Sequence, residues 1–125
     1  MIQTTQETLR RLLANGPLTG LPARHADLKL LLRLAAARFE ADRVYSEAAV
    51  NDVLREWLGT FSAPHGIDHV SLRRCLVDAG HLQRDKAGAS YRLNPLFRPA
   101  PAADPATVLE EIRRERAVRK RQHTH

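Results

Sequence analysis

The residues best suited to chemistry in this sequence of 125 residues are cations concentrated between residues 69 and 95. Five arginines and lysines lie there against two acidic residues, Asp78 and Asp85. Arginine can hold guanine or a phosphate through two parallel hydrogen bonds, and a lysine at a hairpin tip suits contact with phosphates. We therefore predict a nucleic-acid-binding surface built from one helix and the hairpin that follows it. The helix would supply His69, Ser71, Arg73 and Arg74, and the hairpin would supply Arg84, Lys86 and Arg92.

A second group of reactive residue types, His65, His69, Cys75 and His81, offers zinc ligands at close spacing. Cys75 falls, however, on the apolar side of a helical pattern beside Leu72, where a free cysteine acts as a small hydrophobic residue. A thiol packed in this way is poorly accessible, which disfavours a nucleophile. The sequence also lacks a glycine-rich phosphate loop, a GxSxG motif and an HExxH motif. We therefore predict that the protein is not an enzyme and holds no metal or cofactor.

The composition is that of a soluble globular protein, with 43% hydrophobic and 27% charged residues. Its most apolar stretch, residues 28–37, is interrupted by Lys29 and Arg33 and is far shorter than the roughly 20 residues that span a bilayer. The first ten residues lack the pattern of a secretory signal peptide, and the single cysteine excludes an internal disulfide. We therefore predict a cytoplasmic protein with no membrane partner. The formal net charge of +6 favours polyanions as partners.

Residues 1–22 are predicted to form an N-terminal helix and a connector. Thr4 and Glu7 have the spacing of a capping box, in which each side chain accepts a hydrogen bond from a backbone N–H, and leucines then recur at helical intervals. The helix should end near Gly16, because glycine and the following Pro17 favour turns over helix.

Residues 96–125 are predicted to form a proline-rich linker and a basic C-terminal helix. The prolines that mark the linker are Pro95, Pro99, Pro101 and Pro105. Asp104 is placed to cap the helix, and a short apolar stripe ends at Ile112. Charged residues dominate beyond that point, so the rest of the helix should be exposed.

The predicted compact domain, residues 23–95, opens with a helix from His25 to Phe39 that is apolar on two sides. One side carries Leu28, Leu31 and Leu32, and the opposite side carries Leu30, Leu34 and Ala37. Both apolar sides of such a helix must be buried against other parts of the protein or a partner. We predict that the second side meets a terminal helix or another subunit, and that the protein is a homodimer to which the terminal helices contribute.

Four shorter elements follow the long helix. Val44 begins a short strand, Ser46 caps a second helix, and Asp68 caps a third helix. Residues 81–84 and 89–93 then form a β-hairpin across a turn rich in turn-forming residues. The core positions predicted in these elements are Val50, Val53, Leu54, Trp57, Leu72, Leu76, Leu82 and Tyr91.

This order of helix, short strand, helix, loop, helix and hairpin is that of a winged helix, in which three helices form the core and the hairpin forms the wing. We therefore predict an α+β, mainly helical fold. It would consist of a winged helix with an additional helix at each end.

Two separated motifs carry a resemblance to a known family. They are YSEAAVN at residues 45–51 and LRRCLVDAGHLQR at residues 72–84, closed by Gly88 and Tyr91. With these motifs the chain resembles an uncharacterised bacterial domain of unknown function that also occurs fused to ArsR-type transcriptional regulators. The resemblance implies a winged-helix fold and a context in transcription. It implies no activity, substrate or site residue, because a fold does not determine function.

Two functions remain open from the sequence. The first is DNA binding, or alternatively RNA binding, by a bacterial transcriptional regulator. The second is a winged-helix module for protein interaction or dimerisation, which would use Val70, Val77 or the second side of the long helix. A continuous positive surface would support the first function, and a contiguous apolar patch above a few hundred Å² would support the second.

Overall fold

The computed structural model describes residues 4–98 and 103–122. Within these residues the fold is α+β, about half helical, as predicted. The elements are α1 Thr5–Leu12, α2 His25–Ala36, β1 Val44–Ser46, α3 Glu47–Leu58, α4 His69–Asp78, β2 Leu82–Arg84, β3 Ser90–Leu93 and α5 Pro105–Gln122. Two prolines of the predicted linker, Pro99 and Pro101, lie outside the described residues. No helix in the described part of the chain has the length and apolarity needed to cross a membrane.

The three strands form one antiparallel sheet in the order β1-β3-β2. Tyr45 lies opposite Tyr91, and Leu82 lies opposite Leu93. Because side chains alternate along a strand, Tyr45, Tyr91 and Leu82 share the buried face, whereas Val44 on the other face is 67% exposed. The inward orientation predicted for Leu82 and Tyr91 is therefore confirmed.

Local capping signals position the two helices that pack beside the sheet. Ser46 accepts a hydrogen bond from the backbone of Ala49 and caps α3, and Asp68 accepts from Val70 and Ser71 and caps α4. Both caps are confirmed. The buried side chains contributed by these helices are Val50, Leu54, Trp57, Leu58, Leu72 and Leu76.

The terminal helices α1 and α5 lie against each other and share one hydrophobic core with the rest of the chain. Leu9 of α1 and Val108 of α5 are both almost fully buried. Leu34, on the second side of α2, is buried in this same core, and Leu30 is half-buried against it. The chain itself therefore covers most of the surface that motivated the homodimer prediction, and only Ala37 of the three residues is exposed.

The connector after α1 is joined to the loop between α3 and α4. The backbone N–H of Leu18 donates to the carbonyl of Phe61 at 3.0 Å, and Ala63 donates to the carbonyl of Leu18 at 2.8 Å. The capping box of Thr4 and Glu7 at the start of α1 is also present, as predicted. These contacts hold the N-terminal segment on the body that carries α4.

Candidate nucleic-acid interface

Arg73 ties α4 to α3. Its Nη1 donates to Oδ1 of Asn51 at 2.6 Å, and its Nη2 lies 2.9 Å from Oε1 of Glu47. The guanidinium carbon lies 5.9 Å from the ring centre of Tyr91, and only 12% of the side chain is exposed. Much of the binding capacity of Arg73 is therefore used inside the domain. Neither Asn51 nor Glu47 was among the predicted site residues.

Arg74, the next residue, is exposed and makes no ion pair within the described residues. Together with Arg73 and, from β2, Arg84, it surrounds a cavity of about 270 Å³ between α4 and the hairpin. The remaining lining residues are Val77, Asp78 and Tyr91. Three arginines and one aspartate thus line this space, which we call the arginine cavity. This imbalance suits an anion, because arginine binds phosphate oxygens through parallel hydrogen bonds.

The turn between β2 and β3 holds Arg84 in place. Asp85 accepts hydrogen bonds from the backbone N–H of Ala89 at 2.8 Å and from the hydroxyl of Ser90 at 2.7 Å. The hydrogen bond from Ser90 is the main cause that lowers the pKa of Asp85 below its ordinary value. Gly88 has a φ of +71°, and the guanidinium of Arg84 lies directly over it. The Asp85 carboxylate therefore organises the turn, while Arg84 remains available to a ligand.

A larger groove of about 700 Å³ lies along the hairpin. Val77, Arg84 and Tyr91 line both spaces, so the two are neighbours. Arg92 lines the groove, and its Nε donates to Oε1 of Gln83 on the neighbouring strand at 3.1 Å. Arginines from α4, β2 and β3 therefore line these two neighbouring cavities, which we together call the depression.

The other predicted residues lie apart from this depression. Ser71 donates its hydroxyl to Oδ2 of Asp68 at 3.0 Å, which is the main cause that lowers the pKa of Asp68. His69 lines a separate cavity of about 310 Å³ beside the α3–α4 loop. Lys86 is exposed in the hairpin turn and lines none of these cavities. The structure thus brings Arg73, Arg74 and Arg84 together at one cavity, and Arg92 lies in the neighbouring groove.

The zinc alternative finds no cluster in the described part of the chain. No three His, Cys, Asp or Glu side chains are grouped there in a way that could hold a metal ion. Cys75 is half-buried and packs against the hydrophobic core, as its position in the helical pattern predicted. The absence of a metal requirement stays a prediction.

Comparison with known proteins gives one family match. The family described as an uncharacterized protein conserved in bacteria, DUF2087, matches residues 17–93. This segment runs from the connector through β3 and contains all seven predicted site residues, whereas α1 and α5 lie outside it. No curated protein and no solved structure matches the chain.

Proposed function

The chain belongs to the bacterial family DUF2087, and we propose that it binds duplex DNA through the surface shared by α4 and the β2–β3 hairpin. In this proposal α2, β1, α3, α4 and the hairpin form a winged helix, with α4 as the recognition helix and the hairpin as the wing. The resemblance to a domain fused to ArsR-type regulators extends the proposal to bacterial transcriptional control.

The observation that carries the proposal is the convergence of Arg73, Arg74 and Arg84 on one cavity. Residues from two separate elements meet there, although Arg84 is ten positions from Arg74 in the sequence. Arg74 and Arg84 have no acidic partner among the described residues, so their charges are open to solvent or to a ligand. Phosphate groups of a nucleic-acid backbone would neutralise them.

The environments of the arginines suggest different roles. Arg74 is exposed on α4, and an α-helix of this kind fits the major groove of DNA, so we assign Arg74 to base contact. Arg84 and Arg92 line the hairpin groove, and with Lys86 at the turn they would contact phosphates. Arg73 would position α4 through Asn51 and Glu47 rather than contact DNA through its whole guanidinium.

His69 and Ser71 keep their predicted role at the amino-terminal end of α4, the end that reads bases in helix-turn-helix proteins. In the structure Ser71 donates its hydroxyl to Asp68, which caps the helix, and Nδ1 of His69 lies 3.8 Å from Oδ1 of Asp68. A phosphate close to this end would face the Asp68 carboxylate. We therefore expect smaller losses of affinity from changes at His69 and Ser71 than from changes at Arg74.

The surface supports DNA binding more than a protein interface. Val70 and Val77, on which the protein-interaction alternative depends, are both half-buried. The exposed large apolar side chains among the described residues are Val44, Leu96 and Val118, each from a different part of the chain. These separate side chains form no contiguous apolar patch for a protein partner, whereas the arginines of the cavity lie together and suit a polyanion.

The test begins with selection of a preferred duplex from a random pool by the intact protein. Replacement of Arg74 by alanine should then weaken binding to that duplex by about 1–3 kcal/mol and reduce the preference for it over random duplex. Arg38→Ala is the matched control, because Arg38 is an exposed arginine outside the depression. Equal losses in both variants would show that only net charge matters. If the protein shows no saturable binding to DNA even at low salt, the proposal is refuted, and RNA binding or a protein interface takes its place.

A further inference from the structure

The second half of α5 is a strongly basic helix that the proposed surface does not use. We call residues 113–122 the basic arm. Its cations are Arg113, Arg114, Arg116, Arg119, Lys120 and Arg121, and its single acidic residue is Glu115. Every residue of the arm is exposed. We infer that the basic arm is a second DNA-binding element, which holds the phosphate backbone without reading sequence.

The first half of α5 anchors the arm firmly. Val108, Leu109 and Ile112 are buried in the core beside α1. On the surface, Gln6 donates to Glu111, and Arg10 forms ion pairs with Glu111 and Glu115. Residue numbers increase along both helices in these contacts, so α1 and α5 run side by side in the same direction. The arm is therefore a helical continuation of a packed element.

The same contacts leave four of the six cations of the arm without an ion pair among the described residues. Glu115 is paired with Arg10 of α1, so the arm's single carboxylate is already engaged. Arg114 pairs with Glu110 at 3.3 Å. Arg113, Arg116, Arg119 and Lys120 form no ion pair within the described residues. Like charges three or four positions apart destabilise a helix, and a bound polyanion would remove that repulsion.

The distribution of the cations favours nucleic acid over an anionic membrane. At 3.6 residues per turn the cations surround more than half of the helix, and only Glu115, Val118 and Gln122 form a strip without positive charge. A helix that lies on a membrane needs an apolar face opposite its cations. Val118 is the one large apolar side chain in the arm. Cations on several sides instead suit a groove with phosphates along both walls.

The inference rests on the proposed function in one respect, namely that duplex DNA is the partner. The surface itself is separate, since it lies outside the segment that matches the family, residues 17–93. Two contacts on one duplex would raise the overall affinity, because the second contact forms at a high effective concentration once the first is made. The arm would add affinity for every sequence alike, and α4 would add the preference for one sequence.

The test removes a row of three cations from one side of the arm. The arm variant combines Arg113→Gln, Arg116→Gln and Lys120→Gln, which keeps good helix formers at all three positions. A charge-matched control combines Arg24→Gln, Arg38→Gln and Arg55→Gln, all exposed and distant from the arm in sequence. The affinity of each protein for a random-sequence duplex is measured across a range of salt concentrations.

The arm variant should flatten the slope of log affinity against log salt by about 2.7, the value for three phosphate contacts on duplex DNA. The loss should be the same on the selected duplex and on random duplex. The control should change the slope by less than one unit. Equal slopes in the arm variant and the control would overturn the inference.

A third variant separates this inference from the proposed function. It combines Arg74→Ala with Arg84→Ala and should abolish sequence preference while retaining the arm's salt-sensitive binding. If this variant keeps its preference for the selected duplex and the arm variant loses binding, the inference about the arm is supported and the α4–hairpin surface is refuted. If intact protein binds no duplex at low salt, both proposals fail. If the arm variant loses binding to phosphatidylserine vesicles and binds DNA normally, the arm is a lipid contact and the inference is wrong.

Discussion

Replacement of Gly88 by alanine should weaken DNA binding without removing a charge. Gly88 has a φ of +71°, and an added Cβ would lie 2.8 Å from Nε and 2.9 Å from Cζ of Arg84. Non-bonded carbon and nitrogen atoms do not approach so closely. The end of an arginine side chain moves more easily than the backbone of a turn. The guanidinium of Arg84 should therefore be displaced from its position over the turn.

The size of the effect follows from the contact that is lost. A hydrogen bond to a charged group contributes about 1.5–3 kcal/mol, so Gly88→Ala should raise the Kd for DNA roughly 10- to 100-fold. Alanine in the left-handed region also costs about 1–2 kcal/mol of folding stability. Gly16→Ala is the matched control, because Gly16 has a φ of +110° with no atom within 4 Å of an added Cβ and lies in the connector after α1, outside both cavities.

The assay combines urea denaturation with fluorescence anisotropy on a labelled duplex. Gly88→Ala and Gly16→Ala should lose similar stability, but only Gly88→Ala should lose affinity. In a protein that already carries Arg84→Ala, the Gly88 substitution should have no further effect on affinity, because both changes remove the same contact. Normal affinity in Gly88→Ala, or additive losses in the double variant, would refute the assigned role of Arg84.

Three further predictions concern the hairpin and α4. Lys86→Ala should weaken binding to all sequences alike and flatten the salt slope by about one unit, as measured by anisotropy. Cys75→Ala should fold and lose about 1 kcal/mol in urea denaturation; stoichiometric zinc in untagged protein, lost together with the fold on chelation, would contradict this. Because the pKa of Asp85 is lowered in the folded state, its stabilisation of the turn should be complete above about pH 3.9 and should disappear as pH falls through the lowered pKa. The amide NMR signals of Ala89 and Ser90 should report this transition, and it should be absent in Asp85→Asn.

The features that sequence predicted well depend on residues close together in the chain. The caps formed by Thr4, Ser46 and Asp68 each require a side chain and a backbone N–H within three residues. The hairpin likewise follows from one turn. Each of its observed strands begins one residue later than predicted and ends at the predicted residue. Short-range geometry of this kind is encoded locally.

The features that sequence did not predict depend on how distant elements pack. Arg73 contacts Asn51 and Glu47 because α3 packs beside α4, and the spacing of these residues in the sequence does not predict that contact. The buried carboxylate of Asp27, which accepts from Arg11 at 2.6 Å, depends in the same way on how α1 lies against α2. The exposure of Arg74, by contrast, follows from the helical period alone, because Arg74 lies opposite Leu72 and Leu76 on α4.

The position of the DNA on the protein is tested most directly by NMR titration of the intact, ¹⁵N-labelled chain with a selected duplex. We expect the backbone amide signals of Arg74, Val77, Arg84 and Gly88 to shift or broaden first, because these residues line the arginine cavity or contact the guanidinium of Arg84. Signals near Arg38, at the end of α2, should stay unchanged. Saturable binding that leaves the α4 and hairpin signals unmoved would contradict the assignment of this surface to DNA.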